Sequence, residues 1–386
     1  MCKQTARSGP EGGKVAGTDS VLGAPLDLAG ICGEVDARLA AFLDGKARAA
    51  AGQRLPGEIV EVLSGFLFAG GKRIRPLLCV IGWNVACGKG PAGPVVRAAA
   101  SLEMFHAFAL IHDDLVDESD TRRGQPTAHR ALAARHAGRA DAGWLGVSTA
   151  ILLGDLALVW SDELVNTAGL TTRQLADAVA VIDAMRTEVV YGQYLDLLAT
   201  DKPTTDTGRA MTIARYKTAK YTVERPLHLG AAFAGAAPSL RAALSDFALP
   251  VGEAFQLRDD LLGTFGTSGV TGKPCLDDLR GGTNTALVTL AMQRADPAQQ
   301  RTLCSLIGNP ELDEDDADRV RLILDATDAH RAVEQLIHSR HEQACRALAR
   351  GSVPTRDHHR PAGDRPSRNR EDLLRPSAAL PNAERN

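Results

Sequence analysis

Aromatic side chains are scarce in this sequence: Phe, Trp and Tyr make up 4% of its 386 residues. β-branched residues are also few beside the abundant Ala and Leu, a composition that favours helices over sheets. No segment shows the sustained alternation of apolar and polar residues that marks a half-buried strand. These absences argue against an all-β protein and predict an all-α fold.

An excess of charge of either sign is missing too. The 44 Lys and Arg residues nearly balance the 47 Asp and Glu residues, for a formal net charge of −3. A nucleic-acid-binding protein would normally carry a basic field, and a disordered chain of high net charge would lack the 44% of hydrophobic residues found here. We therefore expect a folded protein without a nucleic-acid partner.

Closely spaced cysteines and long apolar runs are absent as well. The seven cysteines form no CxxC pair, which excludes a zinc ribbon or a dense disulfide framework and indicates a reducing, cytoplasmic location. The first 30 residues hold no apolar core of the signal-peptide type. The most apolar stretch, 144–160, is interrupted by Asp155 and is shorter than the roughly 20 residues that span a bilayer. No stable membrane insertion is expected.

Helical periodicity begins after a Gly-, Ser- and Lys-rich leader, residues 1–25. Apolar residues then recur at steps of three and four, as in Leu28, Ile31, Val35 and Leu39. Residues 351–386 contain five prolines and no apolar face, which predicts a disordered tail. We expect one helical domain over residues 26–350, with further helices at 59–69, 95–117, 149–166, 172–198, 211–236, 240–262, 285–294 and 320–349.

Clustered carboxylates on an apolar helix are the first chemical signal. Asp113 and Asp117 are four residues apart and share one helix face, with Asp114 beside them. Like charges at this spacing destabilise a helix unless a cation lies between them, and carboxylate oxygens suit a hard ion shared with a substrate phosphate. A solvated acidic face is the alternative, but the apolar flanks 108–111 and 115–116 favour a metal site.

A second aspartate pair, Asp259 and Asp260, lies on another apolar helix. Two such pairs on separate helices can face each other and hold a small cluster of divalent ions. Cations accompany them, and Arg and Lys side chains suit phosphate oxygens. They are Lys72 and Arg75 after a Gly pair, Arg122 and Arg123 after the first aspartates, and Lys217 and Lys220. Together these groups indicate a phosphorylated, magnesium-bound substrate with an apolar body.

Four sequence runs carry a resemblance to a known family: GGKRIRP (70–76), FHAFALIHDDLVDESDTRRG (105–124), YKTAKYTVERPLHLGAAFAGA (216–236) and AFQLRDDLLGTFG followed by VTGKP (254–274). Their content and order over about residues 26–350 resemble the trans-isoprenyl diphosphate synthases, or polyprenyl synthetases. These are helical enzymes that condense isopentenyl diphosphate with an allylic diphosphate. The resemblance implies an all-α bundle with a central active-site cavity, Mg²⁺ as cofactor and a homodimer.

Site residues follow from the resemblance, position by position. The metal-binding residues that it implies, for about three Mg²⁺ ions, are Asp113, Asp114, Asp117, Asp259 and Asp260. Those that bind the allylic diphosphate are Arg122, Lys217 and Lys273, and those of the isopentenyl diphosphate site are Lys72, Arg75, His106 and Arg123. Thr218 and Gln256 match positions near the reacting carbons. A satisfied core histidine is the alternative for His106.

Product length in this family depends on the residues beneath the first aspartate motif. Phe108 lies five residues before Asp113, about 7.5 Å along the helix axis. An aromatic residue at this place, with no insertion in the motif, is associated with geranylgeranyl (C20) products. Ala109 beside it is small, and Met104 and Phe105 would close the pocket deeper. Ordinary core packing of Phe108 is the alternative.

Two positions depart from the family pattern. Gly263 stands where a third aspartate of the second motif often occurs, and Thr283 stands where the family's GKxT motif has its lysine. Losing that lysine would weaken the binding of the allylic diphosphate by about 2–3 kcal/mol, or less if Lys273 compensates.

Three other functions remain open from sequence, besides a farnesyl diphosphate synthase. A terpene cyclase ionises the same substrates without isopentenyl diphosphate, and the Lys72, Arg75 and Arg123 set disfavours it. A metal phosphohydrolase of the His-Asp type is suggested by His106 and by His112 beside Asp113. A weakly active or regulatory subunit of a prenyl synthase is suggested by Thr283 and the tail.

Overall fold

Helices make up nearly all regular structure in this computed structural model, which describes residues 26–90, 92–200, 202–266 and 276–350. These residues belong to one compact unit. The predicted leader 1–25, the predicted tail 351–386 and Lys273 lie outside the described residues. The helices are α1 (Leu28–Gly52), α2 (Glu58–Phe68), α3 (Ile74–Val85), α4 (Gly93–Val116), α5 (Ala128–Arg135), α6 (Ala142–Asn166), α7 (Thr172–Leu197), α8 (Thr207–Ile213), a π-helix (Ala214–Glu224), α9 (Arg225–Phe233), α10 (Pro238–Phe265), α11 (Asp277–Arg280), α12 (Ala286–Arg294), α13 (Pro297–Leu306), α14 (Glu314–Ala326) and α15 (Ala329–Ala349).

Strand structure within the described ranges is limited to β1 (Thr121–Arg122) and β2 (Gln125–Pro126), which pair antiparallel. The predicted all-α class is therefore confirmed. The small hairpin has a positional role, because it follows α4 directly and returns the chain toward the carboxyl end of that helix.

The centre of the molecule is α4, which packs against α1, α3 and α6. It is apolar on nearly all sides, and residues such as Ala98, Leu102 and Phe105 are at most 2% exposed. A helix that is apolar all round is a core helix. The aspartates at its carboxyl end thus start from a fixed, buried support.

A π-helix lies between α7 and α10. Glycines on both neighbouring helices permit the close approach. A Cβ at Gly192 of α7 would lie 2.4 Å from the Lys217 backbone nitrogen, and a Cβ at Gly252 of α10 would lie 2.5 Å from the Ala219 Cα. Such π-turns are rare and occur frequently at functional sites. Lys217 and Thr218 lie on this segment.

Helix boundaries differ from the sequence prediction in several places. The single helix predicted at 320–349 is two helices, because Asp328 adopts a left-handed backbone conformation (φ 57°) between them. Helices α3, α5, α11 and α13 were not predicted.

The apolar stretch 144–160 is expected from sequence to be too short to span a bilayer, and this expectation is also wrong. That stretch is part of α6, which has 25 residues, and both α4 and α6 are long and apolar enough to cross a membrane by length and composition alone. The apolar window of α4 is 67% buried within the protein and that of α6 is 28% buried.

Candidate active site

The first aspartate motif is held by Arg122, which the β-hairpin returns toward the end of α4. Its Nε donates to Asp114 Oδ1 at 2.7 Å, and its Nη2 lies 3.2 Å from Asp113 Oδ2. Burial alone would lower the pKa of Arg122, but the hydrogen bond and charge of Asp114 outweigh this and raise it. Asp114 is fully buried, whereas Asp117 is exposed at the helix end. Asp114 is therefore the inner carboxylate of the motif and Asp117 the outer one.

Lys217 joins the first motif to α7. Its Nζ lies 3.2 Å from Asp113 Oδ1 and donates to Asp196 Oδ2 at 2.7 Å. Burial opposes the charged form, but the charges of Asp113 and Asp196 raise the pKa of Lys217 above its ordinary value. The lysine is therefore a fixed cation at the centre of the site.

The second aspartate motif is linked to the π-helix by a chain of hydrogen bonds. Thr218 Oγ1 donates to Gln256 Oε1 at 2.5 Å, and Gln256 Nε2 donates to Asp260 Oδ1 at 2.7 Å. The resemblance places Thr218 and Gln256 near the reacting carbons; in the structure Gln256 contacts Asp260 directly, and Thr218 is linked to Asp260 through Gln256. Asp259 faces outward and is exposed.

Asp260 is 9% exposed, and its pKa is raised to about 7. Burial is the main cause, and the charges of Asp278, Asp259 and Asp196 add to it, although the Gln256 hydrogen bond acts in the opposite direction. Asp196 thus acts electrostatically on both Lys217 and Asp260, so the two motifs border one space.

Oxygen-rich surroundings of this kind fit a hard divalent cation. Among the described residues, no three His, Cys, Asp or Glu side chains already form a closed set of metal ligands. Mg²⁺ is commonly held by one or two carboxylates together with waters and substrate phosphates rather than by an all-protein cage. Carboxylates on two sides of one space match that mode of binding.

Gly263 has a steric explanation. A Cβ at this position would lie 2.1 Å from Asp278 Oδ2 of α11. A side chain at 263 would therefore collide with the carboxylate of Asp278, which also acts on Asp260. The position that often holds a third aspartate on α10 is instead filled from a neighbouring element.

Thr283 lies on the turn between α11 and α12, next to the same aspartate: its backbone nitrogen donates to the Asp278 carbonyl at 3.2 Å. The adjacent Asn284 is 7% exposed and ties this turn to the segment after α7. Its Nδ2 donates to the Ala199 carbonyl, and its Oδ1 accepts from the Thr204 nitrogen at 2.9 Å.

A group of cations surrounds His106, seven residues before Asp113 on α4. His106 Nδ1 is hydrogen-bonded to the Tyr221 hydroxyl, and the Arg75 guanidinium lies 4.2 Å from the centre of the Tyr221 ring. Burial lowers the pKa of His106, and the charges of Arg75, Arg123 and Arg122 lower it further. The neutral histidine is thus part of a strongly positive region.

The loop that contains Gly70 and Gly71 borders this positive region. Arg123 Nη1 donates to the Gly70 carbonyl, and Lys72 is exposed beside it. Arg73 fixes the loop from within: it is 6% exposed and donates to Asp36 at 2.7 Å, to Glu103 at 3.0 Å and to the Leu67 carbonyl at 2.9 Å. Two cation motifs that are distant in sequence are therefore in contact.

The predicted chain-length residues lie on α4. Met104 and Phe105 are at most 2% exposed, whereas Phe108 and Ala109 are partly buried. The Phe108 ring is 5.3 Å from that of Phe105 and packs edge-on to His112 at 4.9 Å. His112 Nε2 is 3.2 Å from the Ile151 carbonyl, so neither it nor His106 joins Asp113 in the way a His-Asp phosphohydrolase requires.

Sequence reasoning missed Asp196 and Arg73. Asp196 follows Gly192 by four residues on α7, so both share the helix face toward the π-helix. A carboxylate in an otherwise apolar helical run, 189–198, was the available signal. Arg73 was hidden because it lies between two cations, Lys72 and Arg75, that the motif singled out.

Comparisons with known proteins identify the family of this chain. The model of the family described as polyprenyl synthetase matches residues 57–324. The chain belongs to the polyprenyl synthetase family. It is 32% identical over 274 residues to a geranylfarnesyl diphosphate synthase of Aeropyrum pernix, covering 70% of this chain and 79% of the relative. It is 30% identical over 268 residues to a geranylgeranyl diphosphate synthase of Saccharolobus solfataricus, covering 69% and 76%.

Among solved structures, a geranylgeranyl pyrophosphate synthase from Corynebacterium glutamicum, complexed with isoprenyl diphosphate and magnesium, is 40% identical with a TM-score of 0.80. The match covers 85% of this chain and 95% of that one. This polyprenyl synthetase is thus a prenyltransferase of the trans-prenyl diphosphate synthase type. Its family is generally Mg²⁺-dependent and uses isopentenyl and allylic diphosphates.

Proposed function

We propose that this prenyltransferase condenses isopentenyl diphosphate with allylic diphosphates and releases geranylgeranyl diphosphate. The observation that carries the proposal is the arrangement on α4: the cation cluster around His106 lies two turns, about 10 Å, from the carboxylates at Asp113. Cations from α3 and the β-hairpin thus gather at one level of α4, and carboxylates suited to a metal-bound diphosphate lie at another. Two diphosphates held side by side are what a head-to-tail condensation needs.

The residues of the carboxylate site have distinct tasks in this proposal. When bound, Mg²⁺, about three ions by resemblance to the family, supplies positive charge on the allylic diphosphate oxygens through Asp113, Asp114, Asp117, Asp259 and Asp260. Lys217 and Arg122, already fixed by Asp196 and Asp114, add hydrogen bonds that stabilise the leaving diphosphate as the C–O bond ionises. Apolar α4 side chains exclude water from the allylic cation. The departing diphosphate then accepts the proton released after attack by the isopentenyl double bond.

Chromatography of the products tests the proposal. The full chain is incubated with Mg²⁺, isopentenyl diphosphate and C5, C10 or C15 primers, and C20 should accumulate from each. Arg123→Gln should lower kcat/KM for isopentenyl diphosphate at least tenfold. Arg130→Gln is the matched control, because Arg130 is more than half exposed and pairs with the exposed Asp120.

Other outcomes separate the rival functions. Hydrocarbon released from a prenyl diphosphate alone would indicate a terpene cyclase. Activity that appears only after mixing with a second synthase would indicate a regulatory subunit. No elongated product from any primer would overturn the proposed function.

The C20 assignment rests on Phe108. Its ring lies against Phe105 and is fixed on its other side by His112, so it cannot swing aside without disturbing both contacts. An allylic chain that extends from Asp113 along α4 would meet this ring first. Phe108→Ala should therefore yield products longer than C20, whereas C15 as the main wild-type product would contradict the assignment.

A homodimer is the proposed assembly, through the outer face of α6. One face of α6 packs on α4 and α5, while Trp144, Leu152 and Val159 on the other are 68%, 59% and 59% exposed. Contiguous exposed apolar faces mark interaction sites. Leu152→Glu should convert dimers to monomers in sedimentation, and Leu322→Glu, at a 69% exposed position on α14, should not. An unchanged mass for Leu152→Glu would refute the interface.

The proposed location is the cytoplasm. The five cysteines among the described residues are free, and Cys79 is fully buried. Unpaired cysteines are typical of a reducing compartment.

A further inference from the structure

A column of side chains runs along the inner face of α4 and ends on a partly buried cation. Below Asp113, His112 packs on Phe108 at 4.9 Å and Phe108 on Phe105 at 5.3 Å. The guanidinium carbon of Arg186, from α7, then lies 5.6 Å from the centre of the Phe105 ring. Phe105 therefore has an aromatic ring on one side and a positive charge on another.

Both ends of the column are attached to α6. At the upper end, His112 Nε2 lies 3.2 Å from the Ile151 carbonyl, and a Cβ at Gly154 would lie 2.4 Å from that nitrogen. At the lower end, Arg186 Nη2 is 3.0 Å from Ser161 Oγ and 2.7 Å from Asp162 Oδ1. The column thus has little freedom to shift along the helix axis.

An arginine at this place is not needed for packing. Its neighbours Ser161 and Phe105 are 1% and 2% exposed, and the buried Arg186 Nε has no hydrogen-bond partner among the described residues. Burying an unpaired polar group costs free energy that an aliphatic side chain would not incur. The cation does, however, make a surface that a hydrocarbon chain cannot cover without desolvating it further.

We propose that Arg186 is a specificity-determining residue that sets the outer limit of product length, behind Phe108 and Phe105. This inference rests on the proposed chain-elongation function. Phe108 is the first barrier that a growing chain meets, and the Phe105–Arg186 pair is the second. Arg186 acts partly by positioning the Phe105 ring through a cation–π contact.

The chain offers a close control for Arg186. Lys46 also lies over aromatic rings, 5.1 Å from Phe42 and 5.4 Å from Trp160, and it pairs with Glu163, next to Asp162 on α6. Its side chain is 24% exposed and that of Arg186 is 23% exposed. Lys46→Leu therefore removes a similar ion pair to α6, but one that lies away from Phe105.

The test measures the longest product formed by full-length variants at excess isopentenyl diphosphate. Arg186→Leu alone should keep the wild-type limit, because Phe108 still blocks the chain. Phe108→Ala should exceed it, and Phe108→Ala with Arg186→Leu should exceed Phe108→Ala by at least one five-carbon unit. Adding Lys46→Leu or the conservative Arg186→Lys to Phe108→Ala should add nothing.

Equal longest products for Phe108→Ala with and without Arg186→Leu would overturn the inference. If Arg186→Leu does not fold, as judged by thermal unfolding, Arg186→Gln in the same background supplies the same comparison. A wild-type protein that elongates no primer would instead overturn the proposed function.

Discussion

Replacing Gly192 by alanine would separate the two helices that hold the central lysine. The added Cβ would lie 2.4 Å from the Lys217 nitrogen and 2.6 Å from the Tyr216 carbonyl carbon, both backbone atoms, whereas ordinary contacts begin at 3.4 Å. The π-helix must therefore move by about 1 Å. Overpacking of this kind destabilises a protein by about 1–3 kcal/mol.

The catalytic effect should be larger than the effect on stability. Glu188 and Asp196 lie four residues on either side of Gly192, and they pair with Lys220 and Lys217. A shift of the π-helix lengthens both contacts and displaces Lys217 from Asp113. Misplacement of a catalytic group by about 1 Å can reduce the rate about 100-fold.

Steady-state kinetics and urea unfolding of Gly192→Ala measure the two effects. The control is Gly65→Ala on α2, where a Cβ meets nothing within 4 Å. It should leave kcat unchanged and raise the free energy of unfolding by up to about 1 kcal/mol, because alanine is the better helix former. A Gly192→Ala enzyme with kcat within twofold of wild type and control-like stability would refute the reasoning.

Three further outcomes are expected. Asp113→Asn should lower kcat about 1000-fold without unfolding the protein, because Lys217 keeps Asp196 and Arg122 keeps Asp114; near-wild-type turnover would contradict the metal assignment. Thr283→Lys should lower KM for the allylic diphosphate by about thirtyfold, the equivalent of a charged hydrogen bond of about 2 kcal/mol, and an unchanged KM would show that no contact is missing there. Burial lowers the pKa of His129 in the folded state. Below about pH 6.5, His129 therefore binds a proton in the unfolded state that it does not bind in the folded state. The free energy of unfolding should therefore fall between pH 7 and pH 5 in urea titrations, and His129→Gln should reduce the fall by up to about 1.4 kcal/mol per pH unit.

Periodicity predicted the long amphipathic and core helices well, and it failed where local geometry is set by tertiary contacts. The pattern at 211–236 was recognised as helical, but nothing in it distinguishes the π-helix that Gly192 and Gly252 accommodate from other elements. Helix α3 is absent from the prediction, and its first turn holds Arg75 and Pro76 of the GGKRIRP run. A break such as that at Asp328 depends on one residue's backbone angle, which no hydrophobic spacing reports.

The site was predictable to the extent that its chemistry is local in sequence. Asp113 and Asp117 share a helix face by spacing alone. The contact of Arg123 with Gly70 was not predictable, because it joins residues 53 positions apart. Asp278 was hidden for the same reason: its carboxylate borders Gly263 only after the chain has passed through residues 264–277.

In the proposed function, helix α4 couples diphosphate chemistry to product length. Phe108 precedes Asp113 by five residues and Phe105 precedes it by eight. The two rings therefore lie about 7.5 and 12 Å below the aspartate along a rigid axis. Since the axis is fixed, the proposal assigns product length to the side chains that cover the inner face of α4. Neighbouring helices contribute to this face: a carbonyl of α6 contacts His112, and α7 carries Arg186. The outer face of the same α6 carries the exposed apolar residues of the proposed dimer. The proposed dimer interface and the proposed length limit thus share α6, so a substitution that opens this interface should broaden the product distribution as well as change the mass.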